Sequence, residues 1–245
     1  MTTFNYKEED PEGLLTLEAI RDADQFNRWM YDQVAPWMQG EILEIGSGIG
    51  NLSEYFIRDK AKITLSDIRE NYCSLLESRF PEYVANNLVR KIDLVAPNFN
   101  KRFPEYLEKF DSAFALNVVE HIEEDQLALQ NLFSILKPGG KLMILVPAHP
   151  FLYNRIDTSL QHYKRYTNKK LEEIISTAGF KINRTYGFNA MGMPAWWLSG
   201  VLFRSSQIKN DQMNLYNKLI PIAKLIDKLV FNKFGLSVIT LATKP

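Results

Sequence analysis

Apolar and polar positions change period repeatedly along this chain, and the changes divide it into short strands alternating with helices. Apolar or alternating runs at residues 41–45, 62–66, 88–92, 110–116 and 140–146 predict five strands, separated by helical spacing at 51–59, 70–79 and 123–136. A helix over 167–178, closed by Gly179, a sixth strand at 180–186 and a last strand at 236–243 complete the pattern. Near the N-terminus Phe26, Trp29, Met30, Val34 and Trp37 recur at spacings of three and four, which predicts a helix over 21–38 broken near Pro36. Strands that alternate with helices pack as a doubly wound α/β sheet, with helices on both faces and ligands at the carboxyl ends of the strands.

The regular alternation fails once, between the sixth strand and the last. Roughly fifty residues stand there, and a connection of that length is usually functional or has structure of its own. It reads as two helices, about 195–206 and 211–232. In the second, Leu219, Ile222, Ala223, Ile226, Leu229 and Val230 share one face and Lys224, Asp227 and Lys228 the other. Either this is a helical hairpin packed on the core, or it is a lid that covers an apolar acceptor or rests on a membrane. Lys209, Lys218, Lys224, Lys228 and Lys233 outnumber Asp211 and Asp227 by five to two, so residues 210–233 could meet an anionic interface. The expected division is an N-terminal helical extension at 1–40, a core at 41–186 and 236–245, and a helical cap at 187–235.

Candidate chemistry begins where the first strand ends. Residues 42 to 50 read Ile-Leu-Glu-Ile-Gly-Ser-Gly-Ile-Gly, and the second strand ends in Asp67, seventeen positions after Gly50. Glycines there allow a sharp turn and bare backbone against a ligand, a helix N-terminus follows, and an acid on the next strand can accept from two ribose hydroxyls. The combination predicts a nucleoside site. A dinucleotide fingerprint would place its third glycine where Asn51 stands.

The E-x-G-x-G-x-G pattern of Glu44, Gly46, Gly48 and Gly50 resembles motif I of the class I S-adenosylmethionine-dependent methyltransferases. The later order fits too: Asp67, a third strand ending in Asp93, a fourth strand followed by Asn117-Val-Val-Glu-His121, and Leu136-Lys-Pro-Gly-Gly before the fifth. The resemblance covers residues 25–186 and the last strand. It implies a Rossmann-like seven-stranded sheet with its last strand antiparallel, and S-adenosylmethionine as cofactor. By the same resemblance Glu44, Gly46, Ser47, Gly48 and Gly50 belong to the methionine side. Asp67 and Ile68 fall at the ribose, Asp93 and Leu94 at the adenine, and Asn117 and Val118 beside the methyl donor.

Acceptor chemistry is concentrated after the fifth strand, in Pro147-Ala-His-Pro-Phe-Leu-Tyr153 and Leu160-Gln-His-Tyr-Lys-Arg-Tyr166. His162, His149 and Tyr163 are the candidates for contacting the acceptor or acting as base, although each could instead pin a loop. The second stretch resembles the H-Y-x-R-Y segment of a bacterial methyltransferase subgroup. In some methyltransferases acting on ribose or catechol hydroxyls, E-x-x-E-H with a later histidine holds magnesium. Here Asn117 replaces the first carboxylate, which weakens a hard-cation site, and no metal is expected at Glu120, His121 and His162.

Composition narrows the partners. Lys plus Arg and Asp plus Glu are 29 each, so no global field recruits nucleic acid. Cys73 is the single cysteine, which excludes an intrachain disulfide framework and fits a cytoplasmic protein, one that the basic cap could bring to a membrane periphery. A small-molecule or lipid-like acceptor is expected, with oxygen preferred over nitrogen or carbon as the atom methylated. An NAD-dependent oxidoreductase and a noncatalytic interaction protein on the same fold are the alternatives. The residues leave the oligomeric state open.

Overall fold

A computed structural model describes residues 8, 10–86, 88–202, 205, 207 and 210–245. Two helices, α1 (Pro11–Arg21) and α2 (Asp24–Val34), precede the sheet. The first half continues through β1 (Ile42–Ile45), α3 (Ser53–Arg58), β2 (Ile63–Asp67), α4 (Glu70–Arg79), α5 (Pro81–Ala85), β3 (Val89–Lys91) and α6 (Phe99–Arg102). The second half follows as β4 (Phe110–Leu116), α7 (Asp125–Ile135), β5 (Leu136–Pro147), α8 (Arg155–Ser159), α9 (Asn168–Thr177) and β6 (Lys181–Phe188). Three helices, α10 (Gly192–Trp197), α11 (Asn210–Lys218) and α12 (Ile220–Leu229), separate β6 from β7 (Ser237–Thr243).

The strands form one seven-stranded sheet in the order β3-β2-β1-β4-β5-β7-β6. β1 pairs in parallel with β2 and β4, β2 with β3, and β4 with β5, whereas β7 runs antiparallel between β5 and β6. This is the doubly wound, Rossmann-like sheet with an antiparallel last strand that the sequence led us to expect. Its central strands β1, β4 and β5 are mostly apolar on both faces because both faces are covered there. Leu142, Ile144 and Val146 of β5 point into one layer with Leu129 and Leu132 of α7 and Ile175 of α9. Met143 and Leu145 point into the other, with Trp29 and Val34 of α2, Phe56 of α3 and Leu76 of α4. In that layer Phe114 of β4 stacks on Phe56 at 5.2 Å between ring centroids.

Several elements depart from the sequence expectation. The N-terminal helix expected over 21–38 is α2 with a 3-10 turn at Ala35–Trp37, and a further helix, α1, comes before it. Asp10 starts α1 by accepting from the Gly13 amide at 3.0 Å, with Pro11 at the first helical position. The fifth strand begins at Leu136, four residues before the expected start, and a register shift between Phe110 and Ser112 absorbs the turn.

The cap departs most. The helix expected over 195–206 runs instead from Gly192 to Trp197 and continues as a π-helical stretch, Leu198–Leu202; its final residues and Lys209 lie outside the described residues. The single helix expected over 211–232 breaks into α11 and α12, because Pro221 falls in the first turn of α12. α12 is also rotated: Ile220, Ala223 and Asp227 are buried, and Ile222, Leu225 and Leu229 are exposed. Asp227 determines that rotation. Its carboxylate accepts from the amides of Asn189 and Ala190, both at 2.7 Å, and so ties the end of the cap to its beginning.

Replacing Asp227 with alanine would leave two buried amides unpaired. At about 1–3 kcal/mol per lost buried partner, Asp227→Ala is expected to destabilise the protein by about 2 kcal/mol or more and to lower its Tm by about 4–8 °C. Scanning calorimetry tests this, and a Tm unchanged within a degree would show that the tie is dispensable.

Candidate active site

Strand order reverses between β1 and β4, so the connections leaving these neighbours diverge and leave a crevice at their carboxyl ends. A cavity of about 690 Å³ opens there, within the usual range for a small-molecule site. Gly46, following β1, and Asn117 and Val118, following β4, lie on its wall. The close approach depends on missing side chains. A Cβ on Gly46, whose φ is +70°, would lie 2.3 Å from Val118, and one on Gly48, at φ +54°, would lie 2.9 Å from Leu17.

Asp67 stands at the end of β2, buried yet lining the cavity. One carboxylate oxygen accepts from the Gly48 amide at 3.1 Å and the other from the Arg69 amide at 3.0 Å. Each oxygen keeps lone-pair capacity for a ligand hydroxyl, as a ribose diol requires. Burial raises its pKa, while the Arg69 and Gly48 amides oppose the shift. Ile68, Asp93 and Leu94 continue the wall beyond it. The bare turn, the acid with unused acceptor capacity and this apolar wall are the features a bound S-adenosylmethionine would require.

Glu44, Ser47 and Gly50 lie outside the cavity lining, because they brace the turn from beneath. The Glu44 carboxylate accepts from the Ser53 hydroxyl of α3, and Ser47 Oγ accepts from the Ser66 amide of β2 at 3.1 Å. Gly50 lies against Phe80 and Leu76. Complete burial pushes the Glu44 carboxyl from its ordinary value of 4.5 up to about 7, against the opposing Ser53 bond.

The opposite end of the cavity is roofed by the cap and the N-terminal helices. Phe26, Met30, Phe188, Trp196, Met213 and Tyr216 give it an apolar lining, and His121, Tyr153, His162 and Tyr163 form its polar edge. His162 is held in place by a buried ionic group. Its Nδ1 lies 2.9 Å from Asp157, which also accepts from Arg165 Nε at 2.8 Å and from the Asn154 amide at 3.0 Å. Burial alone would raise the Asp157 pKa, but the His162 and Arg165 contacts hold it below its ordinary value. The ring is thereby fixed with Nδ1 toward Asp157 and Nε2 4.0 Å from Glu120 Oε1.

His149 is not part of this edge. Its backbone takes φ +60° and its ring packs on Phe151 at 5.4 Å, outside the lining. Tyr163 does line the cavity, although about half of it is exposed.

Some participants had no reading in the sequence. Asp157 sits five residues before His162 in a stretch without periodicity, and only the fold shows that they pair. Leu17 of α1 closes over Gly48, and Asn51, where a dinucleotide fingerprint would have glycine, donates to the Leu17 carbonyl at 2.8 Å. The Asp10–Pro11 start signal could have revealed that helix. Trp196 Nε1 and both carboxylate oxygens of Glu120 are buried with no hydrogen-bond partner among the described residues. Burial pushes the Glu120 carboxyl up to about 8 and His121 down to about 3.

Residues 43–142 match the model of a methyltransferase domain. The chain is 28% identical over 116 residues to the ubiquinone/menaquinone biosynthesis C-methyltransferase UbiE of Vibrio parahaemolyticus, an alignment that covers 45% of this chain and 42% of that protein. It thus spans less than half the length of that curated relative. Among solved structures, a SAM-dependent methyltransferase from Archaeoglobus fulgidus superposes with a TM-score of 0.60 at 18% identity, covering 91% of this chain and 95% of the other. Geranyl diphosphate C-methyltransferase from Streptomyces coelicolor, solved with Mg2+, geranyl diphosphate and S-adenosyl-L-homocysteine, superposes with a TM-score of 0.63 at 9% identity, covering 94% and 84%. At these identities the structures share the fold.

Two measurements probe the turn. Gly48→Asp introduces a side chain where φ is positive and a second charge beside Asp67, so S-adenosylhomocysteine affinity should fall at least about 100-fold by calorimetry. Unchanged affinity would remove the turn from the site. Glu44 gives a pH signature. The fold binds its proton more tightly than the unfolded chain does, so stability should decline as pH rises from about 4.5 to about 7 and then level off. Relative to Glu44→Gln, the decline should amount to on the order of 3 kcal/mol. Parallel profiles for the two proteins would contradict the assignment.

Proposed function

We propose that this chain, whose residues 43–142 match the model of a methyltransferase domain, is a class I S-adenosylmethionine-dependent methyltransferase that methylates a small, largely apolar acceptor bearing a hydroxyl group. The observation that carries this reading is the arrangement of one continuous cavity. Its cofactor end is bare backbone and Asp67, and its far end is an apolar chamber with His162 at the edge. When bound, S-adenosylmethionine supplies an activated methyl group on a sulfonium, which needs a nucleophile in line and little further activation.

The residues of this chain would do three things. Gly46, Gly48, Asp67 and Asp93 fix the cofactor's position. Phe26, Met30, Phe188 and Met213 desolvate and orient the acceptor's apolar body, which is where much of the rate of a positional reaction originates. His162, locked by Asp157 and Arg165, anchors the acceptor's polar end. Oxygen is the atom methylated in this reading. Methylation at a carbon beside that hydroxyl is the second reading, and the C-methyltransferase relatives named above favour it.

The cap supports a lipid-like acceptor reached from a membrane surface, for a protein otherwise in the cytoplasm. Ile222, Leu225, Leu229 and Phe231 are exposed, and Lys218, Lys228 and Lys233 lie in the same segment. Among the described residues no helix is long and apolar enough to cross a membrane. Contact would therefore be peripheral.

Incubation with S-adenosylmethionine carrying a deuterated methyl group and a panel of prenylated and alkyl phenols tests the reading. Label on oxygen is expected by NMR; label on carbon selects the second reading, and no transfer to any member counts against an apolar hydroxylic acceptor. On the best acceptor, His162→Ala should lower kcat/KM about 100-fold while S-adenosylhomocysteine affinity stays within about threefold. Equal losses in both would mean that His162 is structural. Flotation with phosphatidylglycerol vesicles should recover the wild type, and Leu229→Asp with Phe231→Asp should abolish recovery. Vesicle binding that survives both changes would place the contact elsewhere.

A further inference from the structure

Among the described residues, Glu120 is a buried side chain left without a hydrogen bond. It lies in the 3-10 turn Val119–His121 after β4, fully buried, with neither carboxylate oxygen hydrogen-bonded among the described residues. A buried carboxylate without a partner costs several kcal/mol, and native folds seldom leave one so. His162 Nε2, the ring nitrogen not bonded to Asp157, lies 4.0 Å from Glu120 Oε1. Two groups able to act as metal ligands therefore face each other. A third comes from His121, whose ring meets the His162 ring edge-on at 4.7 Å between centroids.

One ligand atom from each of Glu120, His121 and His162 lies within 4.8 Å of the others. Ligand atoms around a four-coordinate zinc-class ion with bonds near 2.1 Å are about 3.4 Å apart, so a contraction of up to about 1.4 Å would close the set. His162 already has the outer support common to metal-binding histidines, its second nitrogen bonded to a carboxylate that an arginine holds in place. We propose that Glu120, His121 and His162 bind one divalent first-row transition ion of the zinc class, and that its open positions receive the polar oxygen of the acceptor.

The donor set decides the kind of ion. Two imidazoles and one carboxylate suit zinc, cobalt or manganese better than magnesium, which prefers anionic and neutral oxygens. The replacement of a carboxylate by Asn117, which led to no metal being expected, bears on a hard-cation site and not on this one. All three residues are placed by elements already fixed by the fold: Glu120 and His121 by the end of β4, and His162 by the loop that Asp157 and Arg165 pin. His121 and His162 line the cavity, so an ion between them would be open to an acceptor. The ion site stands on geometry alone; its role toward an acceptor rests on the methyl-transfer reading.

Titration of the metal-stripped full-length protein with Co2+, followed by visible absorption, tests the site, with Zn2+ added afterwards to displace the signal. One ion per chain is expected, with the intense bands of a low-coordinate cobalt centre. Glu120→Gln, His162→Ala and His121→Ala should each weaken binding at least 100-fold. Asp157→Asn should weaken it about 10- to 100-fold, as loss of an outer partner does, while His149→Gln leaves it unchanged. Wild-type protein that takes up no Co2+, or uptake that Glu120→Gln and His121→Ala do not alter, would overturn the proposal. S-adenosylhomocysteine titration of the same samples reports folding and separates the two readings. Co2+ uptake without S-adenosylhomocysteine binding upholds the ion site and removes methyl transfer, and the reverse removes only the ion.

Discussion

Everything functional in this protein depends on the divergence of two chain paths at the carboxyl ends of β1 and β4. These neighbours lie in register at the sheet centre, Ile45 beside Ala115, yet their connections depart toward opposite edges. The gap cannot be filled by the sheet itself, and the backbone on either side of it must turn away sharply. Gly46 and Asn117 do so with φ values of +70° and +53°, the first without strain and the second with a residue that tolerates the left-handed region better than most. The bare turn on one side and the polar turn on the other share one cavity because of that topology.

The parts of this arrangement written in local sequence were legible. β1, its glycine turn and Asp67 follow one another within 26 residues, from Ile42 to Asp67, and each carries its own signal: apolar run, positive-φ residues, acid at a strand end. The parts created by tertiary contact were not. α12 has an apolar stripe that reads as its buried face, but two amides at the start of the cap require an acceptor and Asp227 supplies it, so the helix turns its leucines outward. Hydrogen-bond demand outweighed hydrophobic pattern there, as expected where unpaired buried amides are the alternative. In the same way His162 could be singled out from its neighbours in sequence, but the pairing with Asp157 and the approach of Glu120 required the loop to fold back onto the end of β4.

The polar edge of the cavity is a layered structure. Arg165 lies over the Trp196 ring at 4.8 Å and binds Asp157; Asp157 orients His162; His162 faces Glu120. Each layer restricts the next, so the outermost, Trp196 on the cap, is linked physically to the innermost. A cap that moved would disturb the imidazole before reaching the glycine turn. The glycine turn and the histidine edge are thereby supported by different parts of the chain, although they meet in one cavity.

The tie between Asp227 and the amides of Asn189 and Ala190 also closes the cap upon itself. Residues 189–236 leave the sheet after Phe188 and are gathered by their own last helix before the chain re-enters at Ser237, close to where it left: Phe188 and Ser237 are paired neighbours. A segment whose ends meet in adjacent rungs of a sheet can be lengthened, shortened or exchanged without moving a strand, since the entropy of closing such a loop grows only slowly with its length. The glycine-turn half is bound to the topology, whereas the cap closes on itself. Divergence within such a lineage would change what roofs the cavity far more readily than the turn beneath it.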